Sequence, residues 1–162
     1  MKNIINSIFS SGIFVILIGI TFSQCKSQKS ENQGIMGKVT WLEGNQMPTI
    51  KSEKDSSITS VNPKGTPVKR TLKIYPLTNL MDVKEQNGLF TSIAGEAIVS
   101  IESDETGNYS IELSPGKYSI FTVEEGGLFA NSFDGQGNIQ PIQIKKGEWL
   151  KKDIVITYKA YF

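Results

Sequence analysis

Asp104-Glu105-Thr106-Gly107-Asn108-Tyr109-Ser110-Ile111-Glu112-Leu113-Ser114-Pro115-Gly116-Lys117-Tyr118-Ser119-Ile120-Phe121-Thr122-Val123 is the stretch whose reading decides the fold. Tyr109, Ile111 and Leu113 alternate with Ser110 and Glu112, the period of two expected of a strand with one buried and one wet face. Ser114-Pro115-Gly116 reads as a turn, with proline presetting φ near about −65° and glycine supplying the positive φ of a type II turn. Tyr118, Ile120 and Thr122 then resume the alternation. Upstream, Asp104 is expected to cap its own backbone while Gly107 or Asn108 takes the left-handed conformation. Together these features predict a central β-hairpin.

The same pattern continues on both sides. Residues 34–43 predict a first strand with Ile35, Val39 and Trp41 on one face and Lys38 and Thr40 on the other. Val68 to Leu77 predicts a second, with Leu72 and Ile74 inward and Pro76 ending it, since proline cannot donate to a ladder. Asn79 to Asn87 reads as a polar connection, Gly88 to Ile93 as a short strand, and Ala97 to Ile101 as the strand leading into the hairpin. Leu128 to Asn138 reads as a glycine-rich loop, Ile139 to Ile144 as an edge strand because of Pro141, and Ile154, Ile156 and Tyr158 as the closing strand. Short alternating strands separated by turn signals argue an all-β sandwich.

The spacing D-x-x-G-x-Y-x-I-x-L-x-P-G-x-Y-x-I, carried by Asp104, Gly107, Tyr109, Pro115, Gly116 and Tyr118, resembles the core motif of the carboxypeptidase regulatory-like domain. Ile35-Met36-Gly37-Lys38-Val39, Gly65-Thr66-Pro67-Val68 with the strand after it, and Lys145-Lys146-Gly147-Glu148 extend the resemblance over most of residues 34–158. The resemblance implies a transthyretin-like, Greek-key β-sandwich of about seven strands. It implies no peptidase activity, because in that family the module accompanies the catalytic domain and lacks its metal ligands. Residues 78–95 depart from the compact pattern and read as an insertion; residues 44–66 are polar and aperiodic and read as a long loop, with disorder the leading expectation.

The chain has 162 residues and a net charge of +1, with no histidine and one cysteine. A balance this close to neutral gives no support for nucleic acid as a partner. An internal disulfide is impossible and a cysteine/histidine zinc site is excluded. A serine nucleophile has no histidine to serve as its base, leaving only an unplaced serine–lysine pair, so no catalytic residue is assigned and a small enzyme is the least favoured reading.

The opening residues are read as a lipoprotein-type signal peptide over 1–24. Lys2 sits in the n-region, and Ile13 to Ile20 is an apolar run too short for a membrane-spanning helix, which needs about 20 residues. The sole cysteine, Cys25, stands where a bacterial lipoprotein carries its acyl groups, although Gln24 occupies the place of the usual small residue. An ordinary signal peptide or an uncleaved anchor is the alternative. Residues 25–33 are read as a polar tether and 34–162 as the domain. Lys26 after the cysteine leans toward the outer membrane, with the facing side left open.

The candidate chemistry is sparse. Glu102, Asp104 and Glu105, and Glu124 with Glu125, are carboxylates that could gather at a calcium ion, but turn capping and solvation account for them first. Asp134-Gly135-Gln136-Gly137-Asn138 echoes a calcium loop without its later glycine and bidentate glutamate. No metal and no cofactor is therefore assigned. Lys64, Lys69, Arg70 and Lys73 form a basic patch that guards a sheet edge or meets an anionic partner. The candidate binding surface is aromatic: Phe121, Phe129, Phe133 and Trp149 could stack on a glycan or anchor a protein. The competing expectation folds the glycine-rich loop over Phe121 and packs Tyr161 and Phe162 against the sandwich end. The sequence thus predicts a non-catalytic, membrane-anchored envelope module that binds a protein partner, with carbohydrate binding as the alternative.

Overall fold

A computed structural model describes residues 32–47 and 65–162. The leader 1–24, Cys25, most of the tether and residues 48–64 of the predicted 44–66 loop, Lys64 included, lie outside the described residues. The described chain is all-β, as expected, in two sheets of 5 and 7 strands. The strands number twelve. They are finer-grained than the sequence pattern suggests, because several short strands follow one another along a single track.

The first sheet is built on β1, Gly34–Asn45. Its first half pairs with β7 (Asn108–Glu112) on one side and, in parallel, with β11 (Trp149–Lys151) on the other. Its second half pairs with β2 (Thr66–Pro67) and, in parallel, with β12 (Ile154–Tyr161). The polar loop is therefore shorter at both ends than residues 44–66, because Gly44, Asn45 and Thr66 lie in strands. The tether is shorter as well. Gln33 is buried, donates to the Leu113 carbonyl at 3.2 Å and accepts from the Gly147 amide at 2.8 Å, so ordered structure already includes it.

The second sheet is built on β8, Gly116–Glu124, flanked by β3 (Thr71–Pro76), β9 (Gly127–Phe129) and β10 (Pro141–Ile144). β6 (Val99–Glu102) pairs with β3, and β10 pairs with β8 alone, in keeping with the edge position that Pro141 predicts. Residues 79–87 are not a plain polar connection. They hold a 3-10 turn, Leu80–Asp82, and β4 (Val83–Gln86), which forms a hairpin with β5 (Leu89–Ile93). Alternation is weak in β4 because three of its four side chains are exposed, and that hid it in the sequence.

The expected central hairpin does not form. β7 pairs with β1 and β8 pairs with β3, so Ser114-Pro115 carries the chain from one sheet to the other. Gly116 correspondingly lacks positive φ and opens β8 opposite Ile144. What it provides is room: a Cβ there would stand 2.9 Å from the Tyr118 hydroxyl, which turns back to donate to the Ser114 carbonyl at 2.9 Å. The tyrosine thus locks the crossover that the exposed Pro115 begins, much as a tyrosine corner does in other sandwiches.

Between the sheets, Ile35, Val39, Tyr109, Ile111, Ile154 and Ile156 meet Leu72, Ile74, Ile120, Phe129, Ile142 and Ile144. Each such burial contributes on the order of 2 kcal/mol relative to exposure. A second cluster joins Phe121 to Tyr75, Phe90, Ala130 and Ile139. Phe121 makes edge contacts with Tyr75 at 5.6 Å and Phe90 at 5.7 Å between centroids, so β8 is apolar on both faces.

Candidate functional site

The aromatic surface divides. Phe121 is fully buried and Phe129 packs in the main core, its ring 5.6 Å from that of Tyr158. Neither is available to a ligand, which removes both from the expected binding surface. The physical reason is that the loop after Gly127 folds back, bringing Ala130 and Ile139 over Phe121. Trp149 is half-buried and donates from Nε1 to Asn32 Oδ1 at 3.1 Å, fastening the point where the chain enters the fold. Phe133 is 50% exposed and does belong to the surface. Tyr161 and Phe162 are exposed too, contrary to the expectation that they pack the sandwich end.

Phe133 stands beside a turn that organises the strongest candidate site. Asp134 Oδ1 accepts from the amides of Gln136 and Asn138, both at 2.9 Å, and Oδ2 accepts from Asn138 Nδ2 at 2.7 Å. Asp104 builds the same turn: Oδ1 accepts from the amides of Thr106 and Asn108 at 2.8 Å, and Oδ2 from Asn108 Nδ2 at 3.2 Å. Gly107 has φ +82° and Gly137 +80°, as the shared D-x-x-G-N spacing requires. The Thr106 hydroxyl and the Asn108 amide hold the Asp104 carboxyl below its ordinary value; the Asn138 side chain and backbone amide do the same at Asp134. Both carboxylates are therefore spent on their own turns. The repeat was visible in the sequence as one five-residue pattern occurring twice, yet the second copy resembled a degenerate calcium loop.

The Asp134 turn is clamped to the segment before β4. Asn79 bridges to Asn138, its Nδ2 donates to the Gln136 carbonyl at 2.9 Å, and the Leu80 amide donates to the Gly137 carbonyl at 3.0 Å. On the other side Phe133 bridges to Ile139. Leu80 (41% exposed), Met81 (89% exposed) and Phe133 thus flank one hydrogen-bonded turn. Beside it lies a cleft of about 200 Å³ lined by Leu77, Lys117, Asp134, Gln136, Asn138, Pro141, Ile142 and Gln143. Leu80 and Met81 went unnoticed in the sequence because they sit in a polar connection without period.

Several of the other charged candidates pair with one another. Lys69 reaches Glu105 at 3.1 Å and Glu102 at 3.6 Å, and its ammonium is held charged by the Glu105 hydrogen bond. Arg70 meets Glu124 at 3.2 Å, so two of the three described members of the expected basic patch, Lys69 and Arg70, are ion-paired. Glu124 is not a solvated glutamate: its side chain is 2% exposed. The Tyr158 hydroxyl lies 3.4 Å from it, and the Arg70 guanidinium lies 5.5 Å from the Trp41 ring centroid. Among the described residues, no group of three or more Asp, Glu, Cys or His side chains could hold a metal. No protein family, curated protein or solved structure matches the chain.

Proposed function

We propose that the protein is a non-catalytic, lipid-anchored β-sandwich module of the bacterial cell envelope, of the carboxypeptidase regulatory-like kind, that docks another envelope protein. One observation carries the docking role: Leu80, Met81 and Phe133 are presented to solvent around a turn whose own polar groups are already hydrogen-bonded. Large apolar side chains held on a rigid frame are what an interface centre requires, since little ordering remains to be done on binding. The anchor rests on Cys25 and the apolar run before it, and the outer membrane on Lys26.

The experiment is crosslinked pull-down from intact envelopes with the full-length protein, its Met81→Asp/Phe133→Asp variant and its Cys25→Ala variant. A discrete partner retained by the wild type and lost by the double variant supports docking; recovery of the monomer alone contradicts it. Unchanged membrane partitioning of Cys25→Ala contradicts the anchor.

A second reading is carbohydrate binding, because Lys117, Gln136 and Gln143 offer polar groups to sugar hydroxyls in the cleft and Phe133, the exposed ring, adjoins its wall residue Asp134 in the chain. A glycan array with Phe133→Ala as control decides it. No sugar-dependent signal removes that reading.

A further inference from the structure

Of the chain's 4 methionines, Met36, Met47 and Met81 lie among the described residues, and their settings differ. Met36 is 39% exposed on the outer face of the first sheet, in register with Ser110 and Lys151. Met47 is 51% exposed just beyond the end of β1. Met81 is 89% exposed, more than any other large apolar side chain among the described residues.

The backbone that carries Met81 is nevertheless well tied. Its amide donates to Asn79 Oδ1 at 3.2 Å, the Leu80 amide donates to the Gly137 carbonyl at 3.0 Å, and the Asp82 amide donates to the Asn79 carbonyl at 3.0 Å. A hydrogen-bonded turn thus holds the thioether out in solvent, in the patch it shares with Leu80 and Phe133. Of those three side chains only the methionine yields to a mild oxidant. The sulfur lone pair attacks one oxygen of a hydroperoxide, an S–O bond forms, and the O–O bond breaks. The departing oxygen takes up the proton and leaves as water or an alcohol. Sulfur loses two electrons, the peroxide gains them, and the flexible apolar side chain becomes a polar, chiral sulfoxide.

We propose that Met81 is the chain's oxidation-sensitive site, and that its conversion to the sulfoxide by a hydroperoxide switches the docking surface off. The switch rests on the docking reading of Leu80, Met81 and Phe133 and adds its regulation. A thioether adapts its shape to an apolar partner surface. The sulfoxide oxygen is a hydrogen-bond acceptor that such a contact buries unpaired, which costs binding. Met36 and Met47 belong to the first sheet and its continuation, away from the patch, so their oxidation leaves it unchanged.

The purified full chain is treated with hydrogen peroxide, freed of it, and added to envelopes from cells lacking the protein, so that the partner never meets the oxidant. Peptide mass spectrometry follows each methionine, and crosslinked pull-down follows capture. Met81 is expected to oxidise faster than Met47 and Met36. Capture is expected to fall about tenfold as the Met81 sulfoxide accumulates. Met36→Leu/Met47→Leu is expected to lose capture in step with the wild type, and methionine sulfoxide reductases with a dithiol reductant to restore it in both. Faster sulfoxide formation at Met36 or Met47 overturns the site. Full capture by protein carrying the Met81 sulfoxide overturns the switch and leaves the docking reading standing. Failure of the untreated protein to capture any partner overturns the docking reading and the switch with it.

Discussion

The Tyr109 hydroxyl donates to the carbonyl oxygen of Lys152 at 2.6 Å, across a strand whose intervening residue is Gly37. Tyr109 lies on β7 and pairs with Gly37 of β1, and Lys152 links β11 to β12 on the far side. One side chain therefore fastens all three tracks of the first sheet. Lys152 also donates its amide to the Met36 carbonyl at 2.9 Å, and Asp153 accepts from the Lys38 amide at 2.9 Å, so the break between β11 and β12 is sewn onto β1.

Gly37 has no room for a side chain. A Cβ there would overlap the Lys152 carbonyl oxygen at 1.8 Å, a backbone atom that cannot step aside. Gly37→Ala is expected to destabilise the domain by about 3 kcal/mol or more. Tyr109→Phe, which only orphans the Lys152 carbonyl, is expected to cost about 1–2 kcal/mol. Urea unfolding followed by tryptophan fluorescence measures both; equal losses would contradict the steric role of Gly37.

Alkali should reach the same clasp. Burial, helped by the Asp153 carboxylate, raises the Tyr109 phenol above its ordinary 10.0. Tyr158 is raised too, by burial and then by Glu124. The folded state therefore holds protons that the unfolded chain releases, so this stability is complete below about pH 10 and is lost as pH rises further. The urea midpoint is expected to hold up to about pH 10 and to fall as the pH is raised further, and to fall less in Tyr109→Phe. An equal fall in both proteins would remove Tyr109 as the cause.

Arg70 and Glu124 form the one ion pair with a buried member among the described salt bridges. Removing one partner strands the other, so Arg70→Met is expected to cost about 3 kcal/mol. Arg70→Met/Glu124→Leu is expected to recover most of that loss, because two apolar side chains replace two desolvated charges. A double-mutant cycle in urea checks it; additive losses would show that the pair is not coupled.

The fold class was legible because one-sided strands write their period into the chain: Tyr109, Ile111 and Leu113 are buried and Ser110 and Glu112 are not. Pairing partners are not written there. A turn such as Ser114-Pro115-Gly116 serves a hairpin or a crossover between sheets equally well, and only the long-range pairing of β7 with β1 decides. Phe129 was misplaced because a strand of three residues is too short to show a period. Glu124 reads as solvated in the sequence because its partner, Arg70, is 54 residues away. The candidate site was half legible: Phe133 stood out as a loop aromatic, while Leu80 and Met81 gain their meaning only from the bridge between Asn79 and Asn138.

The phenylalanines separate core from surface directly. Phe121→Ala and Phe129→Ala are each expected to cost about 3–5 kcal/mol, as buried aromatics do. Phe133→Ala is expected to stay within about 0.5 kcal/mol of the wild type. Thermal or urea unfolding gives the three values; a large loss at Phe133 would mean that its role is structural and that the proposed docking surface is smaller.

Site-specific photocrosslinking in living cells tests the docking role most directly, with a photoreactive amino acid placed in turn at Met81, at Phe133 and at Ser110 on the outer face of the first sheet. The account predicts one crosslinked species of the same mass from positions 81 and 133 and none from 110. Equal crosslinking at all three positions, or none at 81 and 133, would contradict it.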